Sequence, residues 1–353
     1  MEKHVPQPAK LPLAQDAGAI GIRSTIVQRP SPSLGSGSTF SERENMRLLE
    51  VSGLSVSAGG EGKARLLEEV SFEIRRGEFF ALVGESGSGK SVLCSALMGL
   101  LPSSLTSTGR IWFDGRTLAQ SHRRSRAVIF QQPTQYLNPL RTIGFQIQET
   151  VEIASRTTKR EARERAVDLL RSVGIHDPIG TMRKYPHEMS GGMNQRVMIA
   201  LALALRPKLL IADEPTSALD VTTQKQIMDL LDRVRSDWGM AVLFVTHDLA
   251  LAAERSDRIG VLYAGQLVEV GPAKLLADTA LHPYTDALFS SITDISLCPT
   301  GLRALAGGVP DPTQRKEGCH FASRCSKVVS ECEQTAPYLA TDVDHAAACH
   351  NPR

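Results

Sequence analysis

Apolar and polar positions follow two periods along this chain, and the two interleave. Residues 48–57 alternate as a strand does, and residues 67–73 repeat the pattern after a turn at Ala58-Gly59-Gly60-Glu61-Gly62-Lys63. Arg75-Arg76-Gly77 turns into Phe79-Phe80-Ala81-Leu82-Val83, a run apolar on both faces, as in a strand buried inside a parallel sheet. A helix is predicted over 91–98. Ile111-Trp112-Phe113 reads as a short strand ending in a hairpin-type turn at Asp114-Gly115, and Ala127-Val128-Ile129-Phe130 as another strand. From about 143 to 204 the texture is helical. Residues 159–173 place Ala162, Ala166, Leu169, Leu170 and Val173 near one face, and 190–205 form a second helix. Strand signals return at Leu209-Leu210-Ile211-Ala212 and Ala241-Val242-Leu243-Phe244-Val245, with a helix over 222–235 between them. A hairpin then joins 259–262 to 266–270 around Ala264-Gly265. The pattern predicts an α/β domain over 46–280 with a helical subdomain inserted at about 141–205.

Residues 1–45 have neither period and are rich in Pro, Ser, Gly and Ala, so they are expected to be disordered. Met46 sits where a compact domain would start, and translation is expected to begin there. Over the whole 353-residue chain the 42% hydrophobic share suits a folded core. The net charge of +2 gives no pull toward nucleic acid. The basic cluster Arg123-Arg124-Ser125-Arg126 is read as a solvated sheet edge. No apolar run approaches the roughly 18 residues of a membrane span, and no secretory signal is evident. The chain is expected to be soluble, or peripheral to a membrane through a partner.

Candidate chemistry begins at Gly84-Glu85-Ser86-Gly87-Ser88-Gly89-Lys90-Ser91, which fits G-x-x-x-x-G-K-[ST] between a predicted strand and a predicted helix. Glycines let backbone N–H groups approach phosphate oxygens, the helix N-terminus adds partial positive charge, Lys90 can reach the β- and γ-phosphates, and Ser91 can ligate Mg²⁺. Asp213 and Glu214 follow an apolar strand, where ligands of α/β sheets bind. An Asp there can hold Mg²⁺, and the adjacent Glu can orient or deprotonate water. Gln131 and His247 also stand at strand ends. The first can coordinate Mg²⁺ or the attacking water, the second a γ-phosphate. Ser190-Gly191-Gly192-Met193 opens another helix and is a second potential anion site. One phosphate loop already cradles one nucleotide, so this second site suggests a γ-phosphate shared across a dimer.

This ordered set resembles an ATP-binding cassette (ABC) ATPase over about residues 48–270. Its parts are Gly84–Ser91 (Walker A), Gln131 (Q-loop), Ser190–Met193 (signature), residues 209–213 (Walker B), Glu214, Ser217-Ala218-Leu219-Asp220 (D-loop) and His247 (H-loop). The resemblance implies a head-to-tail dimer with ATP between one cassette's Gly84, Ser86, Gly87, Ser88, Gly89, Lys90 and Ser91 and the other's Ser190, Gly191 and Gly192. It also implies Glu214 as catalytic base and Mg²⁺ held by Ser91, Gln131 and Asp213. Two positions depart from the common pattern. Met193 ends the signature in place of Gln, and the adenine-stacking aromatic falls near Ala58.

Four of the six cysteines, Cys319, Cys325, Cys332 and Cys349, are separated by five, six and sixteen intervening residues. That spacing is not the paired C-x₂-C of a zinc ribbon. In a reducing compartment such a set reads as metal ligands, and the residues alone leave zinc and iron–sulfur open, with His320 and His350 as further zinc donors. Residues 281–353, with His282-Pro283-Tyr284-Thr285 and Gly318-Cys319-His320-Phe321, resemble the C-terminal extension of oligopeptide/dipeptide (and nickel) importer ATPases. That resemblance implies a [4Fe-4S] cluster on the four cysteines, two membrane permeases, an extracytoplasmic substrate-binding protein, a second ATPase subunit, and a place on the cytoplasmic face of the bacterial inner membrane. Peptide is the expected cargo. Nickel, an opine, or a soluble ABC ATPase role in repair, cluster assembly or translation are the rivals. Cys94 and Cys298 match no ligand position and are read as structural.

Overall fold

The computed structural model describes residues 46–59, 64–217, 219–291, 307–340 and 343–353. The segment 1–45, most of the turn at 58–63, Ala218 and Cys298 lie outside the described residues.

The strands β3 (Phe79–Val83), β6 (Arg126–Ile129), β7 (Leu209–Asp213), β8 (Ala241–Val245) and β9 (Arg258–Tyr263) are parallel, and β10 (Gln266–Pro272) and β11 (Ala346–Ala347) extend the same sheet antiparallel in the order β11-β10-β9-β3-β8-β7-β6. The period of two divides each central strand between two cores. Phe79, Ala81 and Val83 face one with Leu210, Ala212, Val242 and Phe244; Phe80 and Leu82 face the other with Leu209, Ile211, Leu243 and Val245. Burial on both faces is why these strands read as unbroken apolar runs.

The second core is closed by a four-stranded antiparallel sheet, β2-β1-β4-β5, of β1 (Arg47–Ala58), β2 (Ala64–Arg75), β4 (Leu105–Phe113) and β5 (Arg116–Thr117). Phe72 stacks on Phe80 between the sheets, ring centroids 5.5 Å apart. Helix α1 (Lys90–Met98) adds Leu93 and Leu97. The strand expected at 111–113 begins at Leu105. Its first half is polar, and Gly109 (φ +94) passes so close to β1 that a Cβ would stand 2.3 Å from the Gly53 carbonyl oxygen. The reading of Arg126 as solvated edge is corrected. Arg126 opens β6, is 3% exposed, and lies over the Phe113 ring at 5.1 Å.

The first core is covered by α2 (Ile143–Ser155), α3 (Lys159–Ser172), α4 (Gly191–Ala204) and α5 (Val221–Trp238). Side-chain caps set their starts. Thr142 and Ser190 accept from the amides of Phe145 and Met193, and Thr158 forms a reciprocal capping box with Glu161. Each cap is worth about 1 kcal/mol. Then follow α6 (Leu249–Arg255), α7 (Ala273–Asp278) and α8 (Pro283–Ser290). Beyond α8 the chain returns to the sheet, where β11 pairs with Glu269 and Val270.

Candidate functional site

Strand order and register decide what meets here. β3, β8, β7 and β6 are neighbours, Leu82 and Asp213 both pair with Val245, and Ala212 pairs with Ile129. The chain therefore leaves four adjacent strands at one edge, and the loops bearing Lys90, His247, Glu214 and Gln131 converge.

After β3 the phosphate loop is tightly wound. Gly84, Gly87 and Gly89 have positive φ. A Cβ on Gly84 would lie 2.1 Å from the Leu262 carbonyl oxygen of β9, so the close approach of two backbones, beyond the turn itself, demands glycine there. Lys90 donates to the carbonyl oxygens of Gly84 (2.7 Å) and Glu85 (2.9 Å) and reaches Ser88 Oγ at 3.5 Å. Burial pulls its pKa down, against the attraction of Glu214 and Asp213. Ser86 and Gly87 face solvent, Ser88 is buried, and Ser91 bonds Asp213. Burial, then the neighbouring Glu214, raise the Asp213 pKa, so a cation would be favoured beside it. Cys94, one turn into α1, is buried and its thiol is pushed well up by desolvation, as for a packing residue.

Glu214 is the hub of the strand-end groups. Gln131 Nε2 donates to its Oε2 at 2.8 Å, and His247 Nδ1 lies 3.3 Å from its Oε1. Its backbone has φ +45, unusual for a non-glycine residue, and its amide donates to the Val245 carbonyl of the adjacent strand. Gln131, Glu214 and His247, far apart in sequence, thus form one polar group beside Lys90, Ser91 and Asp213.

Ser190, Gly191 and Gly192 stand elsewhere. Ser190 caps α4, Gly191 is exposed, and Gly192 faces Thr223 and Leu219. Among the described residues no hydrogen bond links them to Lys90, Ser91 or Asp213 of the same chain. Asp220 caps α5 and Ser217 Oγ donates to the Glu214 carbonyl, tying the D-loop to the hub. Ala58 ends β1 opposite Ala64 and Leu105, so aliphatic residues occupy the place where an aromatic was expected.

The C-terminal region packs onto this machinery through polar contacts. Glu269, fully buried, accepts from the amides of Leu281 and His282 and from His345 Nε2, each at 2.8 Å. His282 Nδ1 accepts from the Tyr284 amide, and burial lowers its pKa to about 4. Tyr284 packs with Tyr263 and Phe321. Cys319, Cys325, Cys332 and Cys349 are free thiols that feel one another electrostatically, and burial first, with the other three adding, pushes Cys319 up to about 11. Among the described residues no three Cys, His, Asp or Glu stand in a ligating group. Both histidines considered as zinc donors have other partners: His320 the Ala264 carbonyl and Glu68, His350 the Thr335 carbonyl.

One set of contacts was not anticipated. Arg324 donates two bonds to Glu85, at 2.9 and 3.1 Å, and Tyr284 Oη accepts from the Glu85 amide at 3.0 Å. Glu85 occupies a variable position of the phosphate-loop pattern, and only its charge opposite an arginine near the cysteines hinted at a partner.

The architecture and strand-end groups are those of an ABC-type ATPase, and comparison with known proteins agrees. The ABC transporter family model matches residues 67–217, and the model of the oligopeptide/dipeptide transporter C-terminal region matches 268–332. The dipeptide transport ATP-binding protein DppD of Escherichia coli is 43% identical over 319 residues, which is 87% of this chain and 97% of that protein. A putative peptide import ATP-binding protein of Brucella abortus is also 43% identical, over 86% of this chain and 94% of its own length. Among solved structures, the ATP-binding cassette MJ0796, dimeric in a post-hydrolysis state with ADP and Pi, matches at a TM-score of 0.57 and 29% identity, covering 64% of this chain and 99% of that one. The chain belongs to the ABC transporter ATP-binding proteins, in the branch carrying the oligopeptide/dipeptide transporter C-terminal region. It is an ATPase working with ATP and Mg²⁺. No helix among the described residues is long and apolar enough to cross a membrane.

Proposed function

We propose that this chain powers uptake of di- or oligopeptides across the bacterial inner membrane, from its cytoplasmic face, as one of two ATPase subunits joined to two permeases and served by an extracytoplasmic binding protein. The observation that carries the ATPase part is the convergence of Gln131 and His247 on Glu214 beside Asp213, Ser91 and Lys90. Gly84, Ser86, Gly87, Ser88, Gly89 and Lys90 hold the phosphates, and Ser91, Asp213 and Gln131 hold Mg²⁺. Glu214 takes the proton of the attacking water while Gln131 and His247 orient its carboxylate. The γ-phosphate meets Ser190, Gly191 and Gly192 of the other subunit, whose like residues here are exposed or half-buried on the α4 start. Peptide as cargo is supported by the E. coli and Brucella relatives, whose names specify dipeptide and peptide transport.

In this reading residues 46–280 are the ATPase domain, with the helical subdomain over about 141–205, and 281–353 are the extension that bears the four cysteines. The permeases meet the helical subdomain, where an open cleft of about 880 Å³ lies between α2 and α3, lined by Phe145, Arg160, Arg163 and Val167. Leu140, Ile153 and Ile179, all more than half exposed, add apolar surface on that subdomain.

The four cysteines hold a [4Fe-4S] cluster, with zinc as the alternative. Four soft thiols fit that donor chemistry, and at Cys319 and Cys349, whose pKa burial raises, a bound cation would supply the charge that burial opposes. The cluster would tie residues 319–332 to Cys349.

The test is reconstitution of the full chain with its permeases and binding protein in vesicles. Dipeptide uptake that requires ATP and is abolished by Glu214→Gln supports the proposal; ATP hydrolysis insensitive to peptide, or driven by nickel, overturns the cargo. Anaerobic purification with iron, sulfide and zinc analysis tests the cluster. About four irons per chain, lost in Cys332→Ser, is the expected result.

A further inference from the structure

We infer that Arg324 and Tyr284 of the C-terminal region are positioning residues for ATP binding, acting through Glu85 to hold the phosphate loop in the shape that presents Lys90. All three polar groups of Glu85 are engaged. Its carboxylate takes both arms of the Arg324 guanidinium, and its amide donates to Tyr284 Oη. Its carbonyl accepts from Lys90 Nζ at 2.9 Å and from the Ser88 amide at 3.2 Å. Whatever fixes Glu85 therefore fixes where the Lys90 ammonium and the Ser88 peptide lie.

The arm that fixes it is rigid. The Arg324 side chain is only 6% exposed and lies over the rings of Tyr263 and Phe321, with its Cζ 5.7 and 5.9 Å from their centroids. Tyr263 ends β9, the strand whose Leu262 carbonyl presses on Gly84. Tyr284 is fully buried against both rings. The planar fork of an arginine matches a carboxylate in a way a lysine cannot, so geometry as well as charge is being used. Contacts made by residues 199 and 239 positions from Glu85 thus bear on the affinity of the loop for nucleotide.

The experiment uses the full chain, purified in parallel for each variant with matched iron and zinc content. It measures equilibrium binding of MgATP and the melting temperature without nucleotide. Arg324→Ala is expected to weaken MgATP binding about tenfold, the loss of a charge-assisted bidentate pair. Arg324→Lys recovers part of that, and Glu85→Gln resembles Arg324→Ala. Adding Glu85→Gln to Arg324→Ala costs little more, because both remove the same link. Tyr284→Phe, which keeps the ring and removes only the hydroxyl, weakens binding by a smaller factor. A structural role alone would lower the melting temperature and leave affinity untouched, and that outcome overturns the inference. If Arg324→Ala does not fold, Glu85→Gln and Tyr284→Phe decide: wild-type affinity in both overturns it, and weakened affinity in both sustains it.

Discussion

The strand-end site and the C-terminal region are built on opposite plans. At the strand ends Gln131, Glu214 and His247 are half-buried or exposed beside the buried Lys90, and the main chain beneath them is an unbroken apolar sheet. Glu214 is 20% and His247 66% exposed, over strands whose residues are almost wholly buried. In the C-terminal region the polar groups are themselves the buried parts: Glu269 is 0% and His282 1% exposed. The first plan leaves reactive groups free to meet a ligand on a scaffold that needs none of them. The second spends Glu269, His282 and His345 on holding the chain together. Changes in the first region should alter chemistry and spare stability; changes in the second should do the reverse, except at Arg324 and Tyr284, which reach Glu85 of the phosphate loop.

The largest expected effect separates the two cleanly. Glu214→Gln removes the proposed base and should cut turnover by about 10²–10⁴ while MgATP still binds and the melting temperature holds. Steady-state phosphate release and equilibrium binding on the same preparation check it, and near-normal turnover would take Glu214 out of that role.

His282 makes the converse case. Its folded pKa is lowered to about 4 by burial, whereas the unfolded chain takes up that proton near 6.5. Between those values the unfolded state binds more protons, so stability is complete above pH 6.5 and falls as pH drops toward 4, by about 3 kcal/mol. Denaturation midpoints across that range should flatten in His282→Asn, which can still accept from the Tyr284 amide but cannot titrate. An unchanged acid limb would assign it to another group.

Gly84→Ala tests where the scaffold itself is tight. The added methyl meets the Leu262 carbonyl at a φ that side chains rarely adopt, so a loss of about 2 kcal/mol in urea unfolding is expected, with weakened ATP binding. A wild-type unfolding midpoint would show that the two backbones can part at no cost. The smallest effect belongs to Gln131→Ala. Losing one donor to Glu214 should slow turnover about tenfold with unchanged stability, and a change in stability would blur the contrast between the regions.

The same contrast explains what sequence alone could reveal. The central strands and the groups at their ends were legible because each lies in a short contiguous run: apolar residues, then Gly84 to Ser91, Gln131, Asp213-Glu214 or His247. A sheet edge turns such runs into neighbours without further information. The early half of β4 was not legible, because Gly109 serves an approach to Gly53 rather than a turn. Arg126 looked like surface, because a guanidinium over the Phe113 ring has no local signature. The contacts of Glu269 with Leu281, His282 and His345, and of Glu85 with Arg324, depend on charged residues that any surface would carry. Four cysteines announced themselves by type, but their spacing does not say how closely they gather.

Strand β11 also sets an order of events during synthesis. Residues 346 and 347 complete the sheet by pairing with 270 and 269, and Arg324 must be made before Glu85 can be gripped. The parallel strands through β9 and their helices can assemble while the ribosome is still adding the C-terminal region, but that edge of the sheet stays open until the chain has passed residue 347. A nascent cassette would then carry its phosphate loop well before it carries the parts that brace it. Full nucleotide affinity becomes a property of the finished polypeptide, withheld from the growing one.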